Sequence, residues 1–180
     1  MAYNDTKIIS EKDIYQAKYW RVFQRTLERN GKVITKDMLS RISVVHVIAV
    51  TDTDEIYLVS QYRDALNEET FEVPAGHIDE GEEPLAAAKR ELAEETGLTS
   101  TNWEHLITYN QGANFSGKVH VFIATGLSEG QTNFDEDEDI ELVKFPVEEV
   151  LAKTQNGEIS VASNIATLQL YNAMKRQKHG

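Results

Sequence analysis

The chain has no cysteine. Disulfides, thiolate nucleophiles and cysteine-based zinc sites are therefore excluded. Proline is scarce, at three residues, and no proline-rich or Gly/Ser-rich linker interrupts the 180-residue chain. No internal repeat is present either, so one domain, or one domain with a small appendage, is expected. No apolar run approaches the length that spans a bilayer. The opening MAYNDTKIISEKD lacks a basic patch followed by an apolar core, so no secretory signal and a cytoplasmic location are expected. Positive charge is the scarcer sign: 18 Lys and Arg stand against 30 Asp and Glu, a net charge of −12. Such a surface repels nucleic acid and membranes of like charge. It repels a small phosphate-bearing substrate too, unless a bound cation bridges the two.

The segments that are present read as strands first. Lys18 to Glu28 and Lys32 to Leu39 flank Asn30-Gly31, a strong hairpin signal. Ile42 to Val50 (ISVVHVIAV) is nearly continuous apolar and reads as a buried strand. Ile56 to Tyr62, Phe71 to Val73, Trp103 to Tyr109, Val119 to Thr125 and Glu141 to Phe145 read as further strands. Glu83 to Thr96 is the clearest helix, with Pro84 in its first turn and Gly97 as its stop. Leu85, Ala88, Leu92 and Thr96 form its expected core stripe. Helices are also expected over Val147 to Lys153 and about Ser160 to Arg176, with Ser160 and Ser163 as caps. Few helices and many strands, without βαβ alternation, predict an α+β domain with helices packed on a sheet.

The chemistry-bearing segment is Gly76 to Leu98, GHIDEGEEPLAAAKRELAEETGL. At about 100° per residue, Glu91, Glu94 and Glu95 share one side of the helix. Like charges so spaced destabilise a helix by a few tenths of a kcal/mol per pair, and a divalent cation would turn that repulsion into ligation. Oxygen-only ligands point to Mg²⁺ or Mn²⁺ rather than Zn²⁺. Arg90 sits four residues before Glu94 and can pair with it. Three glutamates alone also fit a solvated helix face. The full pattern is longer: Gly76, five residues, Glu82, seven residues, then Arg90-Glu91-Leu92-Ala93-Glu94-Glu95-Thr96-Gly97-Leu98. Its specified positions match by chance in about one window in a billion.

This pattern resembles, without a departure, the signature of the Nudix hydrolases. The resemblance implies a Nudix fold, a mixed β-sheet sandwiched between α-helices, with a small N-terminal antiparallel β extension. It implies hydrolysis of a nucleoside diphosphate linked to another group. It assigns Glu91, Glu94, Glu95 and the backbone carbonyl of Ala75 to the metal, and Glu82 to support of the loop. Arg90 is expected to orient the glutamates, Glu91 to serve catalysis, and Gly76 and Gly97 to serve tight backbone geometry.

The flanks, Gln61-Tyr62-Arg63 and Glu72-Val73-Pro74-Ala75-Gly76, resemble the ADP-ribose and nucleotide-sugar pyrophosphatases of that family. The likeness implies residues 1–41 as an extension for homodimerisation and nucleoside contact, and residues 42–180 as the hydrolase domain. Arg63 would then meet a phosphate or terminal ribose, unless it forms an ordinary surface salt bridge. Tyr19, Trp20 and Phe23 are candidates for stacking on the base, or for core or interface packing. Glu136-Asp137-Glu138-Asp139-Ile140 matches a pattern of this branch that makes Glu136 the general base and Glu138 a metal ligand; a neighbouring acid such as Asp135 doing that work, and a solvated acidic loop, are the other readings. One departure is the stretch Asn110 to Ser116, which lacks the proline common in ADP-ribose enzymes, so a broader nucleoside diphosphate sugar range stands beside ADP-ribose. Two further alternatives are a hydrolase of nucleoside triphosphates or dinucleoside polyphosphates, and a non-catalytic ligand sensor. The five histidines are scattered and read as structural or surface residues.

Overall fold

A computed structural model of the chain describes residues 6–130 and 140–179. The chain divides into two compact units, one of Met1–Ser43 with Asn110–Lys118, the other of Val44–Tyr109 with Val119–Gly180.

In the first unit, β1 (Thr6–Gln16), β2 (Trp20–Arg29) and β3 (Lys32–Arg41) form an antiparallel sheet in that order. The β2–β3 hairpin turns on Asn30 and Gly31, whose φ of 51° and 69° are the paired positive values that a two-residue turn of this hand requires. Strand β1 was not expected: its sequence TKIISEKDIYQ lacks clean alternation, and register shifts interrupt its pairing with β2. Phe23 and Leu27 are the buried side chains of this sheet, and the guanidinium of Arg21 lies 4.3 Å from the Phe23 ring centre. Arg21 and Arg25 pair across to Glu11 at 3.1 and 2.6 Å.

The second unit is built on a seven-stranded mixed sheet centred on β4 (Val44–Val50), where all residues are buried. One edge of β4 is shared. Its C-terminal residues pair antiparallel with β5 (Glu55–Arg63), and its N-terminal residues with β7 (Ala75–His77). Its other edge runs parallel to β9 (Lys118–Glu129). Strands β6 (Glu68–Glu72) and β10 (Ile140–Pro146) flank β5, and β8 (Leu98–Asn110) lies outside β9. The continuous apolar run of β4 follows from burial on both faces. Val45, Val47 and Ala49 pack with Ala87, Ala88 and Leu92 of α1 (Pro84–Thr96). Val44, Ile48 and Val50 pack with residues of α2 (Val147–Asn156) and α3 (Ala162–His179), among them Val150, Leu168 and Tyr171. The sheet lies between helices, as the α+β expectation had it. Among the described residues no helix is long and apolar enough to cross a membrane.

Two local expectations are corrected. Leu85 is 37% exposed rather than core. It shares the buried arc of α1 by angle, but burial begins only at Ala87, so the first turn projects past the packed layer. Ser160 and Ser163 do not cap α3. The Ser160 hydroxyl donates to Glu68 at 2.9 Å, and Ser163 lies inside the helix, where its carbonyl accepts from the Tyr109 hydroxyl.

Candidate active site

The polypeptide enters the site along β6, crosses Val73-Pro74, forms the short β7, and turns through residues 78–83 into α1. The Pro74 carbonyl accepts from the Val47 N–H at 2.8 Å, which ties the crossing to the central strand. The following turn is closed from within: Glu82 accepts the Asp79 N–H at 3.1 Å, and Gly81 takes a φ of 80° that suits glycine. Pro84 at the first helical position and Gly97 in the left-handed conformation bound α1 as expected.

The flank of α1 that carries the glutamates lies against the backbone of β7. The Glu95 carboxylate is buried and accepts the Ala75 N–H at 2.9 Å. The Glu91 carboxylate rests on Gly76 so closely that a Cβ there would meet its carboxyl carbon at 2.0 Å. Gly76 is not among the positive-φ residues. Its requirement is thus close approach of a side chain, whereas Gly97 alone of the two serves a left-handed turn.

Arg90 gathers the remaining oxygens. Its guanidinium donates to Glu82 at 2.9 and 3.1 Å, to Glu91 at 2.7 Å, to Glu94 at 2.9 Å and to the His77 carbonyl at 3.0 Å. Hydrogen bonding from Arg90 holds the Glu82 carboxyl below the ordinary glutamate range. In return Glu82 first, against the opposing effect of burial, and then Glu91 and Glu94 raise the Arg90 pKa still further. The arginine is therefore a permanent cation at the hub of three carboxylates.

The donor set fits a hard divalent cation: it consists of carboxylate and backbone oxygens, with no thiolate or imidazole among the candidate ligands. Among the described residues no three acidic or histidine side chains already converge at ligating spacing. Arg90 draws Glu91 and Glu94 to itself, so a cation held there would have to draw them away by side-chain rotation.

Arg63, at the end of β5, forms a fork with Glu72 at 2.5 and 2.8 Å while 42% of its side chain stays exposed. Burial acts to raise the Glu72 pKa, but hydrogen bonds from Arg63, Thr70 and Asn164 outweigh it, and the net shift is downward. Sequence reasoning had named Arg63 but missed Asn164, which is 1% exposed and bonds both Glu72 and the Val73 N–H. Its signal was present: Asn164, Thr167, Leu168 and Tyr171 recur at helical spacing, so polar residues occupy the first turn of an apolar stripe. The buried His46 pairs with Thr167 on that stripe at 3.0 Å.

Tyr19 and Trp20 belong to the first unit, where they are 38% and 44% exposed; Trp20 meets Tyr15 edge-on, and Lys18 lies over the Tyr19 ring. Glu136 and Glu138 lie outside the described residues.

The model of the NUDIX domain family matches residues 40–163. An ADP-ribose pyrophosphatase of Bacillus subtilis (strain 168) is 34% identical over 97% of this chain and 98% of its own length. A methanol dehydrogenase activator of Bacillus methanolicus is 32% identical over 83% of each. A crystal structure of an ADP compounds hydrolase superposes with a TM-score of 0.86, covering 99% of this chain and 98% of that one at 22% identity, a likeness of fold.

Proposed function

The chain belongs to the Nudix family, and from that premise we propose that it hydrolyses the diphosphate of ADP-ribose or a related nucleoside diphosphate sugar. The products are a nucleoside monophosphate and a sugar phosphate. The observation that carries the reading is the placement of the Glu91 and Glu95 carboxylates on the backbone of Gly76 and Ala75, within a chain related over nearly its full length to an ADP-ribose pyrophosphatase.

Glu91, Glu94, Glu95 and the Ala75 carbonyl are the proposed ligands of a divalent ion, Mg²⁺ by preference and Mn²⁺ as a substitute, with Glu138 as a further ligand. Such an ion neutralises the diphosphate oxygens and acidifies water. The protein's own part is orientation and proton transfer. Glu95 is held by the Ala75 N–H and so keeps one oxygen turned to β7. Arg90 is anchored on Glu82 and the His77 carbonyl, bonds that do not depend on Glu91 or Glu94 and would remain if those two held the ion. Glu136 is the proposed general base, taking a proton from the attacking water. Arg63 meets a phosphate or the terminal ribose, and Tyr19 and Trp20 offer faces for the base.

Residues 1–41 are proposed to join two copies of the chain. Ile8, Ile9, Ile14 and Tyr15 of β1 are between 49% and 58% exposed, four large apolar side chains on an edge strand, and an exposed edge seeks a partner. Light scattering at micromolar concentration should give twice the chain mass of 20.4 kDa; a monomer there sinks this part. The cytoplasm is the proposed location.

The decisive assay offers ADP-ribose, ADP-glucose, GDP-mannose and UDP-glucose with Mg²⁺ and identifies the products. Turnover of none of them refutes the reading, and faster release of pyrophosphate from a nucleoside triphosphate replaces it with the triphosphate alternative.

A further inference from the structure

Arg63, Thr70 and Glu72 share one face of the β5–β6 ladder, where Gln61 pairs with Thr70 and Val59 with Glu72. On that face the Glu72 carboxylate is saturated. Oε1 accepts from Arg63 Nε at 2.5 Å and from Thr70 Oγ1 at 2.8 Å. Oε2 accepts from Arg63 Nη2 at 2.8 Å and from Asn164 Nδ2 at 3.1 Å. An ionised carboxylate has about four acceptor sites, so none is left to let the arginine swing. The fourth donor comes from 92 residues away in sequence. The same Asn164 side chain accepts the Val73 N–H through Oδ1 at 2.9 Å, two residues before Ala75.

A buried ion pair is seldom the most stable filling for its space; an apolar pair of similar volume often does as well or better. Here a 4%-exposed glutamate is kept charged by three side chains, and its beneficiary is Arg63, whose side chain remains 42% exposed. That arrangement spends buried polar groups on aiming one outward-facing cation, which is what binding of an anionic or polyhydroxylic substrate needs.

We propose that Asn164 is a positioning residue for substrate: through Glu72 it fixes the direction of Arg63, and through the Val73 N–H it fixes the backbone that leads to Ala75. This rests on the reading of Arg63 as a substrate contact. Asn164 touches no reacting atom, so its effect falls on affinity rather than on the chemical step.

The test compares the full-length parent with Asn164→Asp, Thr70→Val and Arg63→Ala. Affinity for ADP-ribose is read by calorimetry without divalent ion, and KM and kcat by turnover with Mg²⁺. Asn164→Asp keeps an acceptor for the Val73 N–H but sets a carboxylate against Glu72. Kd and KM should each rise about tenfold, the loss of one hydrogen bond to a charged group, while kcat falls less than about threefold. Thr70→Val removes one donor without changing shape and should raise KM by about threefold; it carries the test if Asn164→Asp fails to fold.

An Asn164→Asp protein that folds with parental Kd and KM overturns the proposal, as does a loss confined to kcat. Arg63→Ala with parental affinity overturns it together with the Arg63 assignment. A parent that binds ADP-ribose without cleaving it refutes the hydrolase reading alone, and a weakened Kd in Asn164→Asp then still supports the positioning role. A parent that neither binds nor cleaves it overturns both.

Discussion

Replacing Gly76 with alanine should separate activity from stability. The added Cβ would lie 2.0 Å from the carboxyl carbon and Oε1 of Glu91 and 2.2 Å from Oε2. The carboxylate must retreat by about 1.4 Å to reach ordinary contact. Because the obstacle is the far end of a flexible side chain, the retreat is cheap for the fold. Weakening the Arg90–Glu91 pair, 2.7 Å apart, costs up to about 1 kcal/mol. Gly76 does not have positive φ, so alanine gains about 0.4–1 kcal/mol by restricting the unfolded chain. The two nearly cancel, and the unfolding midpoint should move by no more than about 3 °C. Catalysis has no such compensation, since misplacing a group by about 1 Å can cost about a hundredfold in rate, or about 2.7 kcal/mol of barrier. Thermal unfolding and steady-state hydrolysis of ADP-ribose on the same preparation give both numbers. A Gly76→Ala protein that keeps more than about a third of the parental kcat, or one that cannot fold, refutes the argument that this glycine exists to admit the Glu91 carboxylate.

Glu95→Gln should fold normally, because its amide oxygen can still accept the Ala75 N–H, yet lose nearly all turnover for want of charge; near-parental activity removes Glu95 from the ligand set. Glu136→Gln should lower kcat by about a hundredfold with little change in the Mg²⁺ concentration for half-activity, and an unchanged rate places the base elsewhere. Glu72 has its folded pKa below the ordinary 4.5, so the stability it contributes is present above 4.5 and is lost as pH falls through the folded value. The unfolding midpoint of Glu72→Gln, followed from pH 7 to pH 3, should therefore fall less steeply than that of the parent, and parallel curves would contradict the shift.

Much of this protein is legible in its sequence. The Asn30-Gly31 hairpin, the buried run of β4 and the bounds of α1 at Pro84 and Gly97 are local matters of dihedral preference and periodicity, and the structure has them where the residues place them. The spacing of Gly76, Glu82 and Arg90 to Leu98 is likewise local, because one loop and one helix carry it. Strand β1 escaped notice since its pattern is not periodic, and β7 because it is three residues long. Leu85 misled because helical angle says nothing of where a helix runs past the sheet.

What tertiary structure alone decided is which groups answer one another across the fold. Composition marks Glu72, Thr70 and Asn164 as ordinary polar residues; only the docking of α3 on the β5–β6 face makes them the saturated cradle of Arg63. The reason for Gly76 is of the same kind, for it lies in a carboxylate fifteen positions later that packs onto its α-carbon. Short-range preferences are written in neighbours along the chain, whereas hydrogen-bond saturation and close approach exist only once distant segments share a volume from which water has been excluded.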